Sequence, residues 1–264
     1  MAIERKSRTS IAELDDWHSK WTSLKDGALP GWHLSGTNPS LVTIDGEPFV
    51  KENDRTIPIR GRVLVPLCGA TDDMQYLSNF DAVTEVVGVE ISERAIDVFF
   101  KAHSLTPNIE PLSKSSTSNG SSDGCVYVSG KIKIFKMDML LFADSEKFDF
   151  IWDRASLMAI DPCYRSKYCQ VMESCLKGAG DYVVVGIEYP EGPFTGPPRM
   201  IHDRQIKECF EDSKLFETID KLGPDGPIHP FPRIDMVGKE VPGRPGVLYF
   251  NGRMPSMALW LMRH

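Results

Sequence analysis

The sequence lacks the features that would place the chain in a membrane or on a nucleic acid. No run approaches the roughly eighteen consecutive apolar residues of a bilayer span, so we expect no membrane segment. The first twenty residues contain no secretory-type apolar stretch, so we expect no signal peptide. Lys and Arg number 30 against 37 acidic residues, giving a net charge of −7. Because no basic block occurs, a nucleic-acid partner is not expected.

Cysteine is sparse and scattered, which argues against a disulfide framework or a zinc site. The chain has no CxxC pair and no HxxxH motif, and it is long for a disulfide-rich secreted domain. Paired Asp residues at ligand spacing are also missing, so no metal is expected. These absences predict a reduced, cytoplasmic protein, and we expect a monomer. The six cysteines are Cys68, Cys125, Cys163, Cys169, Cys175 and Cys209.

The chain does contain an ordinary globular composition, 41% hydrophobic and 25% charged, with strand-like segments that alternate with helical ones. From about residue 61 to 190 this alternation predicts an α/β fold with a parallel sheet covered on both faces. Ser92 is placed to N-cap one of the helices. The last two strands have no helix between them, which predicts an antiparallel end. The strand candidates are 62–67, 85–90, 131–135, 148–152, 181–188, 216–222 and 257–262.

Three segments stand outside this alternation, all within one predicted domain spanning 1–264. Residues 1–60 form an N-terminal extension or lid, in which Ser10 and Glu13 fit a capping box ahead of an apolar helical stripe. Residues 113–124 hold six serines and no large apolar residue, which predicts a flexible loop. Residues 223–246 carry six prolines and five glycines, which predicts a long irregular loop between the last strands.

The loop after the first predicted strand, PLCGATDD at 66–73, favours a ligand without phosphates. Ligands of open α/β sheets bind at the carboxyl ends of the strands, but this loop has neither GxGxxG nor GxxxxGK[ST]. Gly69 is its one glycine. Asp72 and Asp73 would repel a pyrophosphate at the helix N-terminus and suit a nucleoside-like, even cationic, ligand. The alternative is that both carboxylates merely favour helix initiation.

Two further acids follow predicted strands and point to S-adenosylmethionine. Glu90 lies twenty-one residues after Gly69, a spacing that suits hydrogen bonds to both ribose hydroxyls. Asp138 follows the third strand, where a carboxylate can hold an adenine amino group. A solvated strand-end glutamate is the alternative for Glu90. The sequence thus offers one carboxylate for the ribose, one for the adenine and no phosphate-binding loop. This combination predicts S-adenosylmethionine as the cofactor.

Several sequence blocks resemble the thiopurine S-methyltransferase family, and they occur in family order over most of the chain. The pattern Trp17-x-x-x-Trp21 comes first, followed by Asp26-Gly27 and Trp32-His33. The remaining blocks are VPLCG at 65–69, VGVEIS at 87–92, FDFIWDR at 148–154 with Ala159 and Ile160, and GPP at 196–198.

The resemblance implies a Rossmann-like class I methyltransferase: a doubly wound, mostly parallel seven-stranded sheet with an antiparallel last strand. S-adenosylmethionine would lie over the strand ends. Trp32 occupies a position where the family has an aromatic over the acceptor. Two departures from the family pattern are Ala70, in place of a lysine, and Ala155, in place of a glycine. The cofactor positions implied are Trp17, Trp21, Leu67, Glu90, Asp138, Met139 and Arg154, to which the loop adds Gly69.

The implied reaction is in-line methyl transfer to the sulfur of a small aromatic or heterocyclic thiol. Such thiols ionise more readily than an alkyl thiol of pKa about 8.5, so alignment matters more than a strong base. Arg154 would stabilise the thiolate or an anionic ring substituent of the substrate, or hold the cofactor carboxylate with its geometry supported by Asp153, and these two are the predicted catalytic residues. A salt bridge at the sheet edge is the alternative for Arg154. His33 and His202 flank the predicted pocket, and structural roles are favoured for both.

Other functions stay open at this level. The same cofactor could serve a methyltransferase for small inorganic thiols, halides or selenium compounds. A non-catalytic S-adenosylmethionine-binding protein is the third interpretation, which Ala70 and Ala155 allow. A flavin or nicotinamide enzyme is disfavoured because the phosphate loop is missing.

Overall fold

The computed structural model describes residues 11–24, 29–30, 32–120, 123–189, 199–210, 218–222, 239–241, 244–249 and 256–263. The strands are β1 (Leu41–Ile44), β2 (Glu47–Glu52), β3 (Arg55–Pro58), β4 (Gly61–Pro66), β5 (Val83–Glu90), β6 (Asn108–Pro111), β7 (Cys125–Ser129), β8 (Ile132–Lys136), β9 (Phe148–Arg154), β10 (Leu176–Glu188), β11 (Thr218–Lys221), β12 (Lys239–Val241), β13 (Arg244–Tyr249) and β14 (Ser256–Arg263). The helices are α1 (Ile11–Thr22), α2 (Asp72–Ser78), α3 (Glu93–Ala102), α4 (Ser156–Ala159), α5 (Arg165–Cys175) and α6 (Asp203–Phe210).

A nine-stranded sheet runs in the order β11-β14-β10-β9-β4-β5-β8-β7-β6. Strands β10, β9, β4, β5 and β8 are parallel, whereas β14 is antiparallel to β10 and β11 is antiparallel to β14. The seven predicted strands are β4, β5, β8, β9, β10, β11 and β14, so the doubly wound sheet with an antiparallel last strand is confirmed. This is the Rossmann-like class I methyltransferase fold. Its switch point lies between β4 and β9, where the predicted site residues converge.

The sheet is wider than the seven strands expected, because β6 and β7 extend it antiparallel beyond β8. Strand β6 is exposed at all four residues and lacks the alternation that marks a half-buried strand. The sequence predicted that the Ser-rich segment between β6 and β7 is flexible. In its described part, this segment is held by backbone hydrogen bonds. Ser118 donates a backbone hydrogen bond to Leu141, and Ala143 donates one to Ser116.

The two faces of the sheet bury separate hydrophobic cores, as the alternation of side chains along a strand requires. In β4, Leu64 points into one core while Val63 and Val65 point into the other. Helix α5 packs on the Leu64 side. Helices α2 and α3 and the Trp21 side chain pack on the opposite side.

The N-terminal extension contains more structure than the single predicted helix. Helix α1 is confirmed, although Ser10 of its predicted capping box lies outside the described residues. Strands β1, β2 and β3 add an antiparallel three-stranded sheet that was not predicted. Asp45 and Gly46 join β1 to β2 with positive φ angles of 50° and 82°. An Asp-Gly pair between alternating segments is a strong hairpin signal, so the sequence did carry this information.

The Pro- and Gly-rich segment at 223–246 is described only in part. Strands β12 and β13 pair antiparallel there, where an irregular loop was expected. The remainder of that predicted loop lies outside the described residues. Within the described part of the chain, no helix has both the length and the apolar character needed to cross a bilayer.

Candidate active site

The loop after β4 turns sharply at the carboxyl end of the sheet. Leu67 and Gly69 both adopt positive φ angles, 42° and 54°. The Cys68 amide donates to the Val89 carbonyl at 3.1 Å, which holds the loop against the end of β5. The Gly69 backbone therefore lies at the carboxyl end of the sheet. A Cβ atom added to Gly69 would lie 3.3 Å from the Trp21 ring. The loop is thus shaped around an indole that covers Gly69.

Glu90 is locked in place at the end of β5 by two backbone amides. Its two carboxylate oxygens accept hydrogen bonds from Gly69 N at 2.9 Å and Ser92 N at 2.7 Å. Burial raises the pKa of Glu90, while those amides act in the opposite direction. Each oxygen has a lone pair beyond the bond described here, so the carboxylate can still accept from the hydroxyls of a ribose.

Ser92 supplies an unused hydroxyl next to that carboxylate. It occupies the N-cap position of α3 as predicted, but its side chain makes no capping hydrogen bond. In the described part of the chain its buried Oγ has no partner, and an unsatisfied buried hydroxyl is costly. A polar ligand beside Glu90 would resolve this cost, so the residues present fit the nucleoside part of S-adenosylmethionine.

Three tryptophans form an aromatic wall contributed by the N-terminal extension. Trp17 and Trp32 meet edge to face with ring centroids 5.4 Å apart, and Trp21 and Trp32 do so at 6.2 Å. Trp21 is buried, whereas Trp17 and Trp32 stay partly exposed. The structure therefore brings the predicted aromatic residues together above the Gly69 loop.

Asp72 and Asp73 lie in the first turn of α2, as the helix-initiation alternative expects, and they also contact the N-terminal extension. Asp73 accepts from the Asn38 amide at 2.7 Å and from Trp152 Nε1 at 2.8 Å, with its side chain fully buried. Asp72 accepts from the Gly36 amide at 2.8 Å. These carboxylates attach the N-terminal extension to the sheet. Both acids are engaged by the protein's own donors, and contact of either one with a cationic ligand stays a prediction.

Arg154 stands at the end of β9 without a carboxylate partner among the described residues. Both of its terminal nitrogens lie 3.5 Å from the Trp32 carbonyl, a long and weak contact. Burial lowers the pKa of Arg154, and the nearby Asp73 charge opposes this. Arginine nevertheless stays protonated. The described structure therefore contains no sheet-edge salt bridge for this residue and leaves a cation beside the tryptophan wall.

Asp153 is fully buried, and its contacts support the chain immediately after Arg154. Its part in catalysis stays a prediction. One oxygen accepts from the amides of Ser156 and Leu157, both at 3.1 Å. The other accepts from the hydroxyls of Tyr168 at 2.7 Å and Tyr182 at 2.8 Å. Burial raises the pKa of Asp153. Its oxygens are engaged by these four donors, and the carboxylate anchors α4 immediately after Arg154.

Asp138 and Met139 follow β8 beside the Glu90 strand end. Met137 N donates to the Glu90 carbonyl at 3.1 Å, which brings the two strand ends together. Asp138 accepts from Leu140 N at 2.9 Å and caps a short 3₁₀ helix, Met139–Leu141. The Met139 side chain is buried in the core, and Leu67 packs partly against the same core. Roles for these three in cofactor binding stay predictions.

His33 and His202 lie in different electrostatic surroundings. Burial lowers the pKa of His33, with Asp72 and Asp73 opposing that change and Arg154 reinforcing it. His33 therefore lies within electrostatic reach of Arg154. His202 instead faces Glu188, with Nδ1 3.5 Å from Oε1.

Sequence reasoning missed the residues that support this site from a distance. Ser156 Oγ donates to the Pro66 carbonyl at 2.6 Å and joins the ends of β9 and β4. Tyr168 and Tyr182 reach Asp153 from a helix and a strand that follow it in the chain. No local motif marks such residues, since each acts only through the tertiary fold.

Cys68 belongs to the loop after β4, and its buried thiol packs against Gly88 of β5. A Cβ on Gly88 would approach Cys68 Sγ to 2.6 Å, so the glycine makes room for the thiol. Burial raises the pKa of Cys68 well above its ordinary value. A neutral buried thiol of this kind is inert.

The strand order, the Glu90 carboxylate over the strand ends and the aromatic cover define a class I methyltransferase that uses S-adenosylmethionine. The family model described as thiopurine S-methyltransferase matches residues 12–226. The chain therefore belongs to the thiopurine S-methyltransferase family.

Relatives in this family include two bacterial proteins named thiopurine S-methyltransferase. The protein of Vibrio campbellii is 32% identical over 199 residues, which cover 75% of this chain and 82% of the relative. That of Aliivibrio fischeri is 30% identical over 203 residues, which cover 77% and 85%. Among solved structures, TehB from Haemophilus influenzae matches with a TM-score of 0.46 at 15% identity, covering 76% of this chain and 57% of that one. The N-methyltransferase NodS from Bradyrhizobium japonicum matches with a TM-score of 0.44 at 10% identity, covering 78% of each chain.

Proposed function

We propose that this chain transfers the methyl group of S-adenosylmethionine to the sulfur of a small aromatic or heterocyclic thiol of the thiopurine type. The observation that carries the proposal is Arg154, a guanidinium without a carboxylate partner in the described structure, beside the backbone carbonyl of Trp32. A guanidinium stabilises an anionic thiolate, and flat aromatic faces suit a heterocycle. The names of the relatives support the same acceptor class.

On the donor side we assign Glu90 to the ribose hydroxyls and Asp138 to the adenine amino group. Support for Glu90 comes from its fixed, amide-bound carboxylate and from the Ser92 hydroxyl beside it, which has no partner among the described residues. Trp21 would close over the donor above Gly69. Leu67 and Met139 would line the donor side at the ends of their strands.

Bound S-adenosylmethionine supplies a methyl group on a positively charged sulfur. Arg154 would hold the acceptor as its thiolate and orient it, which is the larger part of the catalytic task when the thiol ionises readily. Trp17 and Trp32 would exclude water, and their ring faces favour a neighbouring cation. The lowered pKa of His33 keeps its imidazole neutral at physiological pH, so it would not compete with Arg154 for the acceptor anion.

The test is methyl transfer from labelled S-adenosylmethionine to a thiopurine, an aromatic thiol, hydrogen sulfide and a halide, with cofactor binding measured by calorimetry in parallel. We expect turnover on the first two to exceed turnover on the others by at least about tenfold. Turnover confined to sulfide or halide would replace the acceptor class. Cofactor binding without turnover on any acceptor would leave a non-catalytic binder.

A further inference from the structure

The turns that follow β4 and β9 each contain a strained residue, and both lie at the switch point of the sheet. Leu67 follows β4 with φ at 42°, and Ala155 follows β9 with φ at 66°. Among the described non-glycine residues at positive φ, these two have side chains that cannot form a hydrogen bond. Left-handed backbone of this kind persists only where the surroundings enforce it, and it is concentrated at functional sites. The contacts that enforce these two turns therefore bear on how the site is built.

One side of each turn is held by the neighbouring strand that lies away from the switch point. Cys68 N donates to the Val89 carbonyl of β5 at 3.1 Å, which holds the turn after β4. Ala155 N donates to the Val185 carbonyl of β10 at 3.1 Å, which holds the turn after β9. These two bonds do not fix the distance between the turns, because each runs to a different outer strand.

The pairing between β4 and β9 ends before the strands do. Its last pair is Leu64 with Ile151. Strand β4 continues to Pro66, and β9 continues to Arg154. Beyond the last pair, Ser156 Oγ donates to the Pro66 carbonyl at 2.6 Å. A side chain thus joins the two strand ends where the backbone ladder has ended, which is where a doubly wound sheet opens to hold its ligand.

Ser156 is itself held in a buried hydrogen-bond network. The residue is 2% exposed, and its amide donates to Asp153 Oδ1 at 3.1 Å. The second oxygen of Asp153 accepts from the hydroxyls of Tyr168 at 2.7 Å and Tyr182 at 2.8 Å. A buried network whose polar groups are bonded in this way is rigid. The Ser156 hydroxyl is therefore a stiff link between the two turns.

We propose that Ser156 is a positioning residue, whose hydroxyl sets the distance between the loop at 67–69, which holds the methyl donor, and Arg154, which holds the acceptor. This inference rests on the proposed function. In-line transfer needs the reacting atoms at a set separation and angle, and a small misplacement lowers the rate steeply. Glu90 accepts from the Gly69 amide on the β5 side, so the ribose contact does not depend on Ser156. Loss of the hydroxyl should therefore slow the transfer more than it weakens the binding of either substrate.

The first experiment measures steady-state methyl transfer to a thiopurine at a temperature where circular dichroism shows each variant to be folded. Ser156→Ala should lower kcat and kcat/KM together by at least about tenfold, because the lost interaction serves the transition state. The Kd for S-adenosylmethionine, measured by calorimetry, should stay within about threefold of the wild type, since the Glu90 contact is intact. Ser174→Ala is the matched control and should keep the wild-type kcat, because the Ser174 hydroxyl donates within its own helix, to the Val171 carbonyl at 2.8 Å.

Ser156→Thr and Ser156→Val separate the hydrogen bond from the packing. Both side chains are β-branched and of nearly the same size, so crowding at this buried position affects both. Threonine restores the donor, and its kcat should exceed that of the valine variant by at least about fivefold. Equal kcat values for the two folded variants would show that the hydroxyl does not position the substrates.

The second experiment is a double-mutant cycle between Ser156→Ala and Arg154→Ala. If Ser156 acts by placing Arg154 against the donor, adding Ser156→Ala to the Arg154 variant should lower kcat by less than about twofold. A loss that multiplies with the loss in Arg154→Ala would show that Ser156 acts independently of Arg154, and would overturn the proposal.

Failure of this proposal can be told apart from failure of the proposed function. If the wild type methylates another acceptor of the panel, the Ser156 variants are compared on that acceptor. A wild type without turnover on any acceptor would remove the proposed function and the positioning role together. An active wild type with equally active Ser156→Thr and Ser156→Val variants would remove the positioning role alone.

Discussion

Glu90 must serve two sets of donors with one carboxylate: the amides of Gly69 and Ser92, and, in our proposal, the ribose hydroxyls of the cofactor. Glu90→Gln keeps the shape and removes the charge and one acceptor. We expect the variant to bind S-adenosylmethionine at least tenfold more weakly, a loss of about 1.4 kcal/mol. Calorimetry measures this directly. Glu93→Gln is the matched control, since Glu93 is exposed and pairs with Lys136. Equal affinities in the two variants would remove Glu90 from the site.

The raised pKa of Glu90 also predicts how binding depends on pH. Because burial raises the folded-state pKa, the ionised carboxylate costs stability at neutral pH, and that cost is relieved as the pH falls through the raised value. Protonation then removes an acceptor for the ribose. Cofactor affinity should therefore decline on acidification from above the ordinary glutamate pKa of about 4.3. A Glu90→Gln profile as steep as the wild-type profile would contradict this.

Arg154 should matter for turnover more than for folding, because no salt bridge in the described structure depends on it. We expect Arg154→Ala to lower kcat/KM for a thiopurine by at least tenfold, about 1.4 kcal/mol. Its free energy of unfolding should change by less. Arg55→Ala removes an exposed arginine paired with Asp220 and should leave turnover unchanged. If Arg154→Ala lost stability and activity in equal measure, a structural role would be the better account.

Ala155 is a strained residue next to this arginine, with φ at 66° in the left-handed region. That conformation costs an L-residue about 1–2 kcal/mol, whereas glycine's extra entropy costs about 0.5–1 kcal/mol. We expect Ala155→Gly to raise the free energy of unfolding by roughly 0.5–1 kcal/mol. Denaturant titration tests this. Ala102→Gly, at an exposed position of α3, should lower stability instead, and a loss in both variants would contradict the strain argument.

At the scale of elements, Asp73 attaches the N-terminal extension to the main sheet through the Asn38 amide and the Trp152 indole. Asp73→Asn leaves one of these buried donors without its acceptor, so we expect a loss of about 1–3 kcal/mol of stability. Hydrogen exchange at the Asn38 amide should accelerate. The more exposed Asp72→Asn should have a smaller effect on stability. Equal exchange at Asn38 in the wild type and the Asp73 variant would show that the extension is held by other contacts.

The elements themselves were predictable where local signals suffice. Strands such as Val83–Glu90 and Phe148–Arg154 can be recognised in the sequence as apolar runs bounded by turns. The position of Glu90 at a strand end beside Gly69 could be predicted, because its spacing from Gly69 reflects one strand-helix-strand unit. Strand β6 could not, because an exposed edge strand carries no hydrophobic pattern.

At the scale of the whole molecule, the contacts that complete the site join residues far apart in the chain. Asp73 and Trp152 are separated by 79 positions, and Arg154 and Trp32 by 122. The local amino-acid composition around these residues does not indicate either contact. The resemblance placed Trp32 and Arg154 in one site, but the docking role of Asp73 follows only from the fold.

In our proposal the site draws on α1, β4, β5, β8 and β9, so cofactor binding should stabilise the whole fold rather than one segment. At a ligand concentration one hundred times Kd, linkage predicts about 2.7 kcal/mol of added stability. For a chain of this size that corresponds to a rise in Tm of roughly 5–10 °C. Scanning calorimetry with S-adenosylmethionine tests this. At the same concentration Glu90→Gln should lose most of the shift, whereas Glu93→Gln should keep it. A wild-type Tm that does not move with saturating cofactor would contradict both the site and the coupling of its elements.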